Sequence, residues 1–336
     1  MKRIAIIGAG SWGTALAVVA ARAGHEVQLW ARNADVVDSI NRDHVNPVYL
    51  IGTPVPPNVW ATADITTAMD GAELVILAAP SHATRRLLTA MVPSVRSETV
   101  VVSATKGIEI DTGKRISQIV DEVFPQAARP RFVCLSGPSF AKEVVEGHPT
   151  AVVAASLDSE TARTVQSELS FENLRVYTNN DVVGTELGGS VKNVMAIAAG
   201  MVAGLGFGSN SIAALITRGL SEITRLGLSE GAKIETLMGL AGLGDLVLTC
   251  TGSLSRNRFV GYELGRGRSL EVISAGMNEI AEGVKTTLAV KRLADRLGVE
   301  MPITSEVHAV LYEEKSVRDA AHELMSRPLK EEADRR

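Results

Sequence analysis

The sequence has few of the residues that mark export, cross-linking or metal binding. Its 336 residues include only two cysteines, Cys134 and Cys250, too few for a disulfide framework or a closed cysteine zinc site. We interpret both as small buried residues, with a reactive thiol as the alternative. No cluster of histidine, cysteine and carboxylate residues has metal-ligand spacing. These absences favour a reducing, cytoplasmic compartment and indicate no metal.

Long runs of one charge are also missing. Lysine and arginine number 34 against 38 aspartate and glutamate residues, a formal net charge of −4, and no basic block is present. Nucleic acid is therefore a poor candidate partner. A small anionic substrate remains compatible with this composition, because a few local cations are enough to bind it. Hydrophobic residues make up 46 % of the chain, which is sufficient for a large core.

Uninterrupted apolar segments of membrane-spanning length are scarce. The best candidate, Val194–Ile216, is broken by Gly200, Gly204, Gly206 and Gly208. Apolar pieces as short as those that remain are typical of buried core helices. We therefore expect no integral membrane segment.

Predicted strands and helices alternate through the first half of the chain. Several strand-like runs are continuously apolar, which is typical of parallel strands buried on both faces. This order predicts an α/β fold that begins with a Rossmann-like doubly wound sheet. The predicted strands are Arg3–Ile7, Glu26–Trp30, Glu73–Ala79, Thr99–Thr105, Arg131–Leu135, Ala151–Ala155 and Arg175–Tyr177. The predicted helices between them include Trp12–Ala23, His82–Met91, Gly113–Val123 and Ser159–Leu169.

Strand patterns end after about Asp181, and segments rich in Ala, Leu, Gly and Glu follow. They predict an all-helical second domain, with Pro302 in the first turn of its last predicted helix. We place a dinucleotide-binding Rossmann domain at residues 1–182 and a helical substrate-binding and catalytic domain at residues 183–336. The predicted helices are Val183–Leu205, Ser209–Leu226, Ser229–Met238, Arg258–Gly265, Val284–Leu297 and Pro302–Glu313.

A glycine-rich fingerprint lies between the first predicted strand and the first predicted helix. Gly8, Gly10 and Gly13 have G-x-G-x-x-G spacing, which allows a tight turn, the approach of a pyrophosphate, and close packing of helix on strand. The N-terminus of the helix then offers N–H groups to phosphate. A secretory signal peptide is the alternative, but the glycines interrupt its apolar core. The stretch therefore predicts a dinucleotide site.

The end of the second predicted strand bears on which nicotinamide cofactor binds. An acidic residue there bonds the ribose 2′-hydroxyl of NAD, whereas an arginine accommodates the 2′-phosphate of NADP. Arg32 stands at this point, and the first acidic residue, Asp35, comes later. We therefore favour NADP(H) over NAD(H). A solvent-exposed loop cation is the other interpretation of Arg32.

Two loops that follow predicted strands carry candidate binding groups. Lys106 follows one strand, and Gly137 and Ser139 follow the next. Open α/β sheets bind ligands at the carboxyl ends of their strands. An ammonium, a hydroxyl and backbone N–H groups suit a phosphate or a substrate oxygen. Ordinary loop residues are the alternative.

The second half offers a candidate proton carrier and a candidate phosphate site. Lys192 lies among apolar residues on a predicted helix, where an ammonium is costly to bury without a partner such as Asp245. If Asp245 opens a helix, Thr249 lies one turn later on the same face. Ser255 is a candidate N-cap that places Arg256 in a first turn suited to phosphate. Unrelated surface residues are the alternative for each of them.

Motifs spread along nearly the whole chain resemble one family, the bacterial-type NAD(P)-dependent glycerol-3-phosphate dehydrogenases. The Gly-Leu-Gly-Asp-Leu and Ser-Arg-Asn motifs are specific to it, whereas the Rossmann fingerprint is not. The resemblance implies reversible hydride transfer between a nicotinamide cofactor and glycerol 3-phosphate, with dihydroxyacetone phosphate as the ketone, for phospholipid synthesis. The matching motifs are Gly8–Ala17, Thr105–Gly107, Ser136–Ser139, Leu187–Asn193, Gly242–Leu246, Ser255–Asn257 and Glu282–Gly283.

Roles for individual residues are implied by the same resemblance. Lys192 is implied to be the proton donor and acceptor, surrounded by the catalytic-site residues Lys106, Asn193, Asp245 and Thr249. Besides Lys106, Lys192 and Asp245, the implied substrate contacts are Gly137, Ser139, Ser255, Arg256 and Asn257. Besides the three fingerprint glycines, the implied cofactor contacts are Ser11, Trp12, Arg32, Tyr49, Lys106, Ala141, Arg256, Ile280 and Glu282.

Departures from the family pattern are confined to two places. Ile51 stands where a proline is common, close to Tyr49, and Thr251–Ser253 differ ahead of the Ser-Arg-Asn motif. Two other functions remain open at this point. One is a related dehydrogenase acting on a hydroxy acid, and the other is a catalytically silent nicotinamide-binding sensor. A helical second domain also favours a homodimer.

Overall fold

A computed structural model describes residues 1–277, 281–329 and 331–332. The chain divides by internal contacts into two units. The first consists of Met1–Lys106 and Ile116–Val182, and the second of Gly107–Arg115 and Val183–Arg336. The chain therefore passes between the units three times.

The first unit is built on an eight-stranded sheet. Its strands are β1 Arg3–Ile7, β2 Glu26–Trp30, β3 Val59–Thr62, β4 Leu74–Leu77, β5 Val100–Ser103, β6 Arg131–Ser136, β7 Thr150–Ala155 and β8 Leu174–Asn179. They lie in the order β3-β2-β1-β4-β5-β6-β7-β8, and every neighbouring pair is parallel except β6 and β7. The strand order reverses between β1 and β4, which is where ligands bind in sheets of this kind.

Alternate residues of the central strands enter different hydrophobic cores. Ile4 and Ile6 of β1 belong to one core, and Ala5 and Ile7 belong to another. Because successive side chains of a strand point to opposite faces, the sheet has a core on each side. Helices supply the rest of both cores, which confirms the predicted doubly wound sheet. These helices are α1 Ser11–Arg22, α2 Ala34–Asp43, α3 Ile65–Met69, α4 Ser81–Met91, α5 Ile116–Val123, α6 Ala141–Val145 and α7 Ser159–Leu169, with short 3-10 turns at Val92–Ser94 and Gln126–Ala128.

Every regular element in the described part of the second unit is a helix, as predicted. The α-helices are α8 Val182–Gly204, α9 Ser209–Ser229, α10 Ile234–Leu237, α11 Asp245–Thr251, α12 Arg256–Gly265, α13 Leu270–Ala275, α14 Glu282–Leu297, α15 Pro302–Tyr312 and α16 Val317–Met325. A π-helical turn, Leu240–Gly244, precedes α11. Pro302 occupies the first turn of α15, as predicted, and the side chain of Ser255 caps α12 by accepting from the Arg258 N–H.

Glycines bring α8 and α12 unusually close. A Cβ on Gly261 of α12 would lie 1.9 Å from the Ile197 carbonyl oxygen of α8, and one on Gly200 would lie 2.0 Å from the Arg258 carbonyl oxygen. No side chain fits at such distances, so the two backbones are in direct contact. This contact fixes α12 against the helix that carries Lys192.

Some elements were not predicted. The strand β3 and the helices α2, α3, α6, α13 and α16 were missed, and the continuous apolar run of β7 forms an antiparallel rather than a parallel pair with β6. Burial on both faces gives the same apolar run in either orientation, so composition does not distinguish them. Both predicted buried cysteines are indeed buried.

Two helical stretches in the described chain are long and apolar enough to cross a membrane by length and composition alone. They are Val182–Gly204, whose most apolar window is mostly buried inside the protein, and Ile234–Thr251. Core helices pass the same test, so these stretches are weak evidence for a span.

Candidate active site

The glycine-rich turn joins β1 to α1 at the point where the strand order reverses. Gly8 has a φ of 124°, which favours glycine, and a Cβ on it would lie 2.6 Å from the Ala78 carbonyl oxygen. A Cβ on Gly13 would lie 1.8 Å from the Gly8 carbonyl oxygen, whereas one on Gly10 would meet nothing within 4 Å. The first and third glycines therefore allow close packing, and the second leaves the turn open. This geometry fits a bound pyrophosphate.

Arg32 lies just beyond the end of β2 and is exposed. The next residue, Asn33, caps α2 by accepting a hydrogen bond from the Asp35 N–H at 2.8 Å. Asp35 is thus in the first turn of α2 rather than at the end of the strand. The chain just beyond β2 therefore presents an arginine to solvent.

Three of the predicted cofactor contacts belong to one neighbourhood of the first unit. Trp12 and Ala141 pack on a small buried cluster formed by Ala15, Val18 and Val145, together with Leu50. Tyr49 directly precedes Leu50 in the chain and is half-buried. Ser11 is the first residue of α1.

The predicted substrate residues of the first unit meet at one atom, the carbonyl oxygen of Gly137. Lys106 Nζ donates to the Gly137 carbonyl oxygen at 2.8 Å, and Ser139 Oγ donates to the same atom at 3.0 Å. Gly137 has a φ of 130°, and a Cβ on it would lie 3.0 Å from the Val152 Cα. The turn after β6 therefore holds an ammonium and a hydroxyl side by side, a pair suited to an anion.

Lys192 is buried in the second unit and is paired. Its Nζ donates to Asp245 Oδ1 at 2.5 Å and to Thr249 Oγ1 at 2.8 Å, and the Lys192 and Asp245 side chains are 8 % and 1 % exposed. Thr249 Oγ1 in turn donates to the Asp245 carbonyl oxygen at 2.6 Å. Asp245 opens α11, so the predicted arrangement of these three residues is confirmed. A charge buried so deeply needs such partners.

The π-helical turn sets the position of Asp245. A Cβ on Gly188, one turn before Lys192 on α8, would lie 2.6 Å from the Ala241 carbonyl oxygen. A Cβ on Gly242 would lie 1.9 Å from the Leu237 carbonyl oxygen. The first contact holds the turn against α8 and the second holds it against the end of α10, so the carboxylate that follows the turn reaches Lys192. The Gly-Leu-Gly-Asp spacing therefore has a structural reason.

Burial also changes the pKa of the thiol of Cys250, the residue after Thr249. The Cys250 side chain is fully buried, and this desolvation raises its pKa to about 12. A thiol with so high a pKa is protonated at neutral pH and is a poor nucleophile. Cys250 is therefore a packing residue in this site.

An amide network connects α8, α12 and α14. Asn257 Nδ2 donates to Asn193 Oδ1 at 2.9 Å, and Asn257 Oδ1 accepts from the Gly283 N–H at 2.9 Å. The start of α14, which carries Glu282, is thereby held to the helix that carries Lys192. Arg256 is exposed at the first turn of α12, where the helix N-terminus and a guanidinium together favour an anion. The predicted residue Ile280 lies outside the described residues.

One residue close to the candidate cofactor site, Asn46, was not predicted from the sequence. Asn46 is buried and hydrogen-bonds both to the glycine-rich turn and to the backbone of Tyr49. Its only sequence signal is an Asn-Pro pair, which indicates a turn. That signal shows a loop but not what the amide contacts.

Comparison with known proteins identifies the family of this chain. Residues 3–162 match the model of the N-terminal domain of NAD-dependent glycerol-3-phosphate dehydrogenase, and residues 181–322 match that of its C-terminal domain. The chain belongs to this family. A glycerol-3-phosphate dehydrogenase [NAD(P)+] of Koribacter versatilis is 57 % identical over 330 residues, covering 98 % of both chains.

Other members of the family agree over the same length. A protein of the same description from Citrifermentans bemidjiense is 50 % identical over 331 residues, covering 98 % of this chain and 99 % of the relative. The crystal structure of glycerol-3-phosphate dehydrogenase from Coxiella burnetii superposes with a TM-score of 0.93 at 42 % identity, covering 97 % and 99 % of the two chains. The resemblance inferred from the motifs is therefore confirmed, as is the fold.

Proposed function

We propose that this chain is an oxidoreductase that transfers a hydride reversibly between NAD(P)H and dihydroxyacetone phosphate, giving sn-glycerol 3-phosphate. The observation that carries the proposal is the buried Lys192, held by Asp245 and Thr249, in a chain with family relatives over nearly its full length. Supply of the glycerol phosphate backbone for phospholipids is the pathway role that we propose.

Lys192 has the chemistry needed at the reacting oxygen. Reduction of a ketone develops negative charge on its oxygen, and the Lys192 ammonium supplies the proton there; in the reverse direction the neutral amine takes the proton back. Asp245 and Thr249 orient Nζ, so that little motion is needed when the proton moves. The nicotinamide cofactor, when bound, supplies or accepts the hydride.

The substrate phosphate needs groups of a different kind. We propose that Ser255 and Arg256, at the start of α12, contact the phosphate. Lys106, Gly137 and Ser139 are further proposed substrate contacts, and in the first unit Lys106 and Ser139 both donate to the Gly137 carbonyl oxygen. A guanidinium and helix N–H groups bind phosphate well. Asn257 contributes to substrate binding by fixing the start of α12 through its hydrogen bonds to Asn193 and Gly283.

The first unit has the features that a dinucleotide requires. The open turn at Gly10 and the N-terminus of α1 fit a pyrophosphate, and the exposed Arg32 supports a preference for NADP(H) over NAD(H). The remaining proposed cofactor contacts are Gly8, Ser11, Trp12, Gly13, Tyr49, Lys106, Ala141, Arg256, Ile280 and Glu282. Apart from Gly107–Arg115, which belongs to the second unit, residues 1–182 are the proposed dinucleotide-binding domain, and residues 183–336 are the proposed substrate domain. A cytoplasmic homodimer is the assembly that we propose.

Initial rates with the purified protein test the reaction directly. We expect NADPH to be oxidised with dihydroxyacetone phosphate and not with a 2-keto acid of similar size. Oxidation with the keto acid alone would favour a hydroxy-acid dehydrogenase. Dinucleotide binding without turnover on either ketone would favour a sensor.

A further inference from the structure

Asn46 lies after α2 in the first unit and is 1 % exposed. Its Nδ2 donates to the Ala9 carbonyl oxygen at 3.0 Å and to Thr14 Oγ1 at 2.9 Å. Its Oδ1 accepts from the Val48 N–H at 3.1 Å and from the Tyr49 N–H at 2.9 Å. A side-chain amide has two N–H donors and a carbonyl with two lone pairs. All four places are therefore used.

The two donated bonds act on the glycine-rich turn. Thr14 Oγ1 also donates to the Ala9 carbonyl oxygen, at 3.3 Å, so two side chains hold this one peptide group. No peptide bond in the described chain is cis, and in a planar trans peptide the N–H points away from the carbonyl. Fixing the Ala9 carbonyl therefore fixes the direction of the Gly10 N–H, in the turn that is open to a phosphate.

The two accepted bonds act on a loop with little other regular structure. Residues 46–53 form no helix or strand, and Leu50 and Gly52 have positive φ angles of 56° and 83°. Asn46 ties the backbone at Val48 and Tyr49 to the side of α1. Next to them, Leu50 packs on the cluster that also contacts Trp12.

We propose that Asn46 is a positioning residue that joins the glycine-rich turn to the Tyr49 loop, so that both are already arranged when the dinucleotide binds. This inference rests on the proposed function. Groups held in their bound arrangement bind more tightly, because less conformational freedom is lost on binding. Asn46 acts through the turn and the loop, so it affects cofactor affinity and not the proton transfer at Lys192.

The test is the Asn46→Asp variant, which has nearly the same shape but loses both donors. Asn58→Asp is the matched control, because Asn58 Nδ2 also donates to two groups, the carbonyl oxygens of Ala21 and His25, but does not contact the turn. The dissociation constant for NADPH is measured by calorimetry well below both unfolding temperatures. The kcat and KM for NADPH are measured with dihydroxyacetone phosphate.

We expect Asn46→Asp to raise the dissociation constant and the KM about tenfold or more, with kcat within about threefold of the wild type. Asn58→Asp is expected to change each by less than about threefold. Equal shifts in both variants would overturn the proposal. If the wild type itself binds neither NADPH nor NADH, the proposed function fails along with it.

Thr14 provides a second test of the proposal, which adds no charge and does not depend on the folding of Asn46→Asp. Thr14→Val removes the hydroxyl that bonds Asn46 and Ala9 while keeping the buried shape, and Thr14→Ser restores it. We expect the dissociation constant to rise about threefold or more in Thr14→Val and to return close to the wild-type value in Thr14→Ser. Wild-type affinity in Thr14→Val would contradict the proposal.

A double-variant cycle tests the link between turn and loop. If Asn46 acts on both, the combined effect of Asn46→Asp and Tyr49→Ala on the dissociation constant is smaller than the product of the single effects, by about threefold or more. An effect equal to that product would mean that the turn and the loop act independently, which contradicts the inference.

Discussion

Single residues of this protein reach their positions through bonds between distant parts of the sequence. Lys192 and Asp245 are 53 residues apart, and Nζ and Oδ1 meet at 2.5 Å. The candidate members of this site were predictable, because a lysine among apolar residues needs a partner. The amide network of Asn193, Asn257 and Gly283 was not, because an amide that bonds helix to helix has no local sequence pattern.

Arg32 carries a prediction about cofactor choice. Arg32→Glu places a carboxylate where the 2′-phosphate of NADP is proposed to bind, and leaves a group that can bond the 2′-hydroxyl of NAD. We expect the ratio of kcat/KM with NADPH to kcat/KM with NADH to fall by about tenfold or more.

The control for Arg32→Glu is an exposed arginine elsewhere in the same unit. Arg42 pairs with Asp43 at the end of α2, so Arg42→Glu reports the effect of charge reversal on the surface. The Arg32 prediction is contradicted if both variants change the NADPH to NADH ratio equally.

At the scale of elements, the strength of the local signal decided what was predictable. The bounds of β1 and β2 match the sequence prediction, because β1 is an apolar run followed by the glycine-rich turn and β2 alternates polar and apolar residues. The edge strand β3 has only four residues, Val59–Thr62, too few for a long apolar run or a clear alternation to mark it. The antiparallel orientation of β7 depends on its neighbours in the sheet, which composition does not record.

Gly261 tests the contact between α8 and α12. Gly261→Ala places a Cβ against the Ile197 carbonyl oxygen, so the helices must separate. We expect the free energy of unfolding to fall by about 1–3 kcal/mol and kcat to fall with it, because α8 carries Lys192 and α12 carries Arg256.

Gly208 is the control for that substitution. It caps α9 with a φ of −83°, and a Cβ on it would meet nothing within 4 Å. Denaturant unfolding of Gly208→Ala should show a change of less than about 1 kcal/mol. A similar loss in both alanine variants would mean that the close contact has no special importance.

Glu222 of α9 joins that helix to the start of α15. Its buried carboxylate accepts hydrogen bonds from the Ile303 and Thr304 N–H groups and from Thr304 Oγ1, at 2.5, 3.1 and 3.0 Å. Burial raises its pKa from 4.5 to about 7, although these bonds lower it. The native protein therefore binds this proton more tightly than the unfolded chain does.

Stability should consequently depend on pH in a defined window. Between pH 4.5 and 7 the native state holds more protons at Glu222, so the free energy of unfolding falls as pH rises through that window. The contribution is about 3 kcal/mol at most. In Glu222→Gln this part of the pH dependence is expected to disappear.

The measurement is the difference in unfolding free energy between wild type and Glu222→Gln at several pH values. Glu263→Gln is the control, since Glu263 pairs with Arg268 rather than with a helix start, and it should keep the fall between pH 4.5 and 7. A difference between wild type and Glu222→Gln that is constant across the window would disprove the assignment.

For the whole molecule, the sequence predicted a doubly wound sheet followed by helices, and the structure confirms both. The segment Gly107–Arg115 was not separated from its neighbours by any composition signal, yet it belongs with the second unit. Ile108 enters the hydrophobic core of the helices, and Arg115 pairs with Glu186 at 2.8 Å. Contacts so distant in sequence leave no periodic pattern.

The central claim is that Lys192 moves the proton. The most direct measurement is kcat for oxidation of NADPH by dihydroxyacetone phosphate in Lys192→Ala, with the NADPH dissociation constant measured on the same preparation. Because the alanine leaves Asp245 buried without its partner, Lys192→Met combined with Asp245→Asn checks that loss of rate is not loss of fold. We expect kcat to fall by roughly 100- to 10,000-fold in both variants, with cofactor affinity unchanged. A kcat near that of the wild type, in a folded variant that lacks Lys192, would contradict the account.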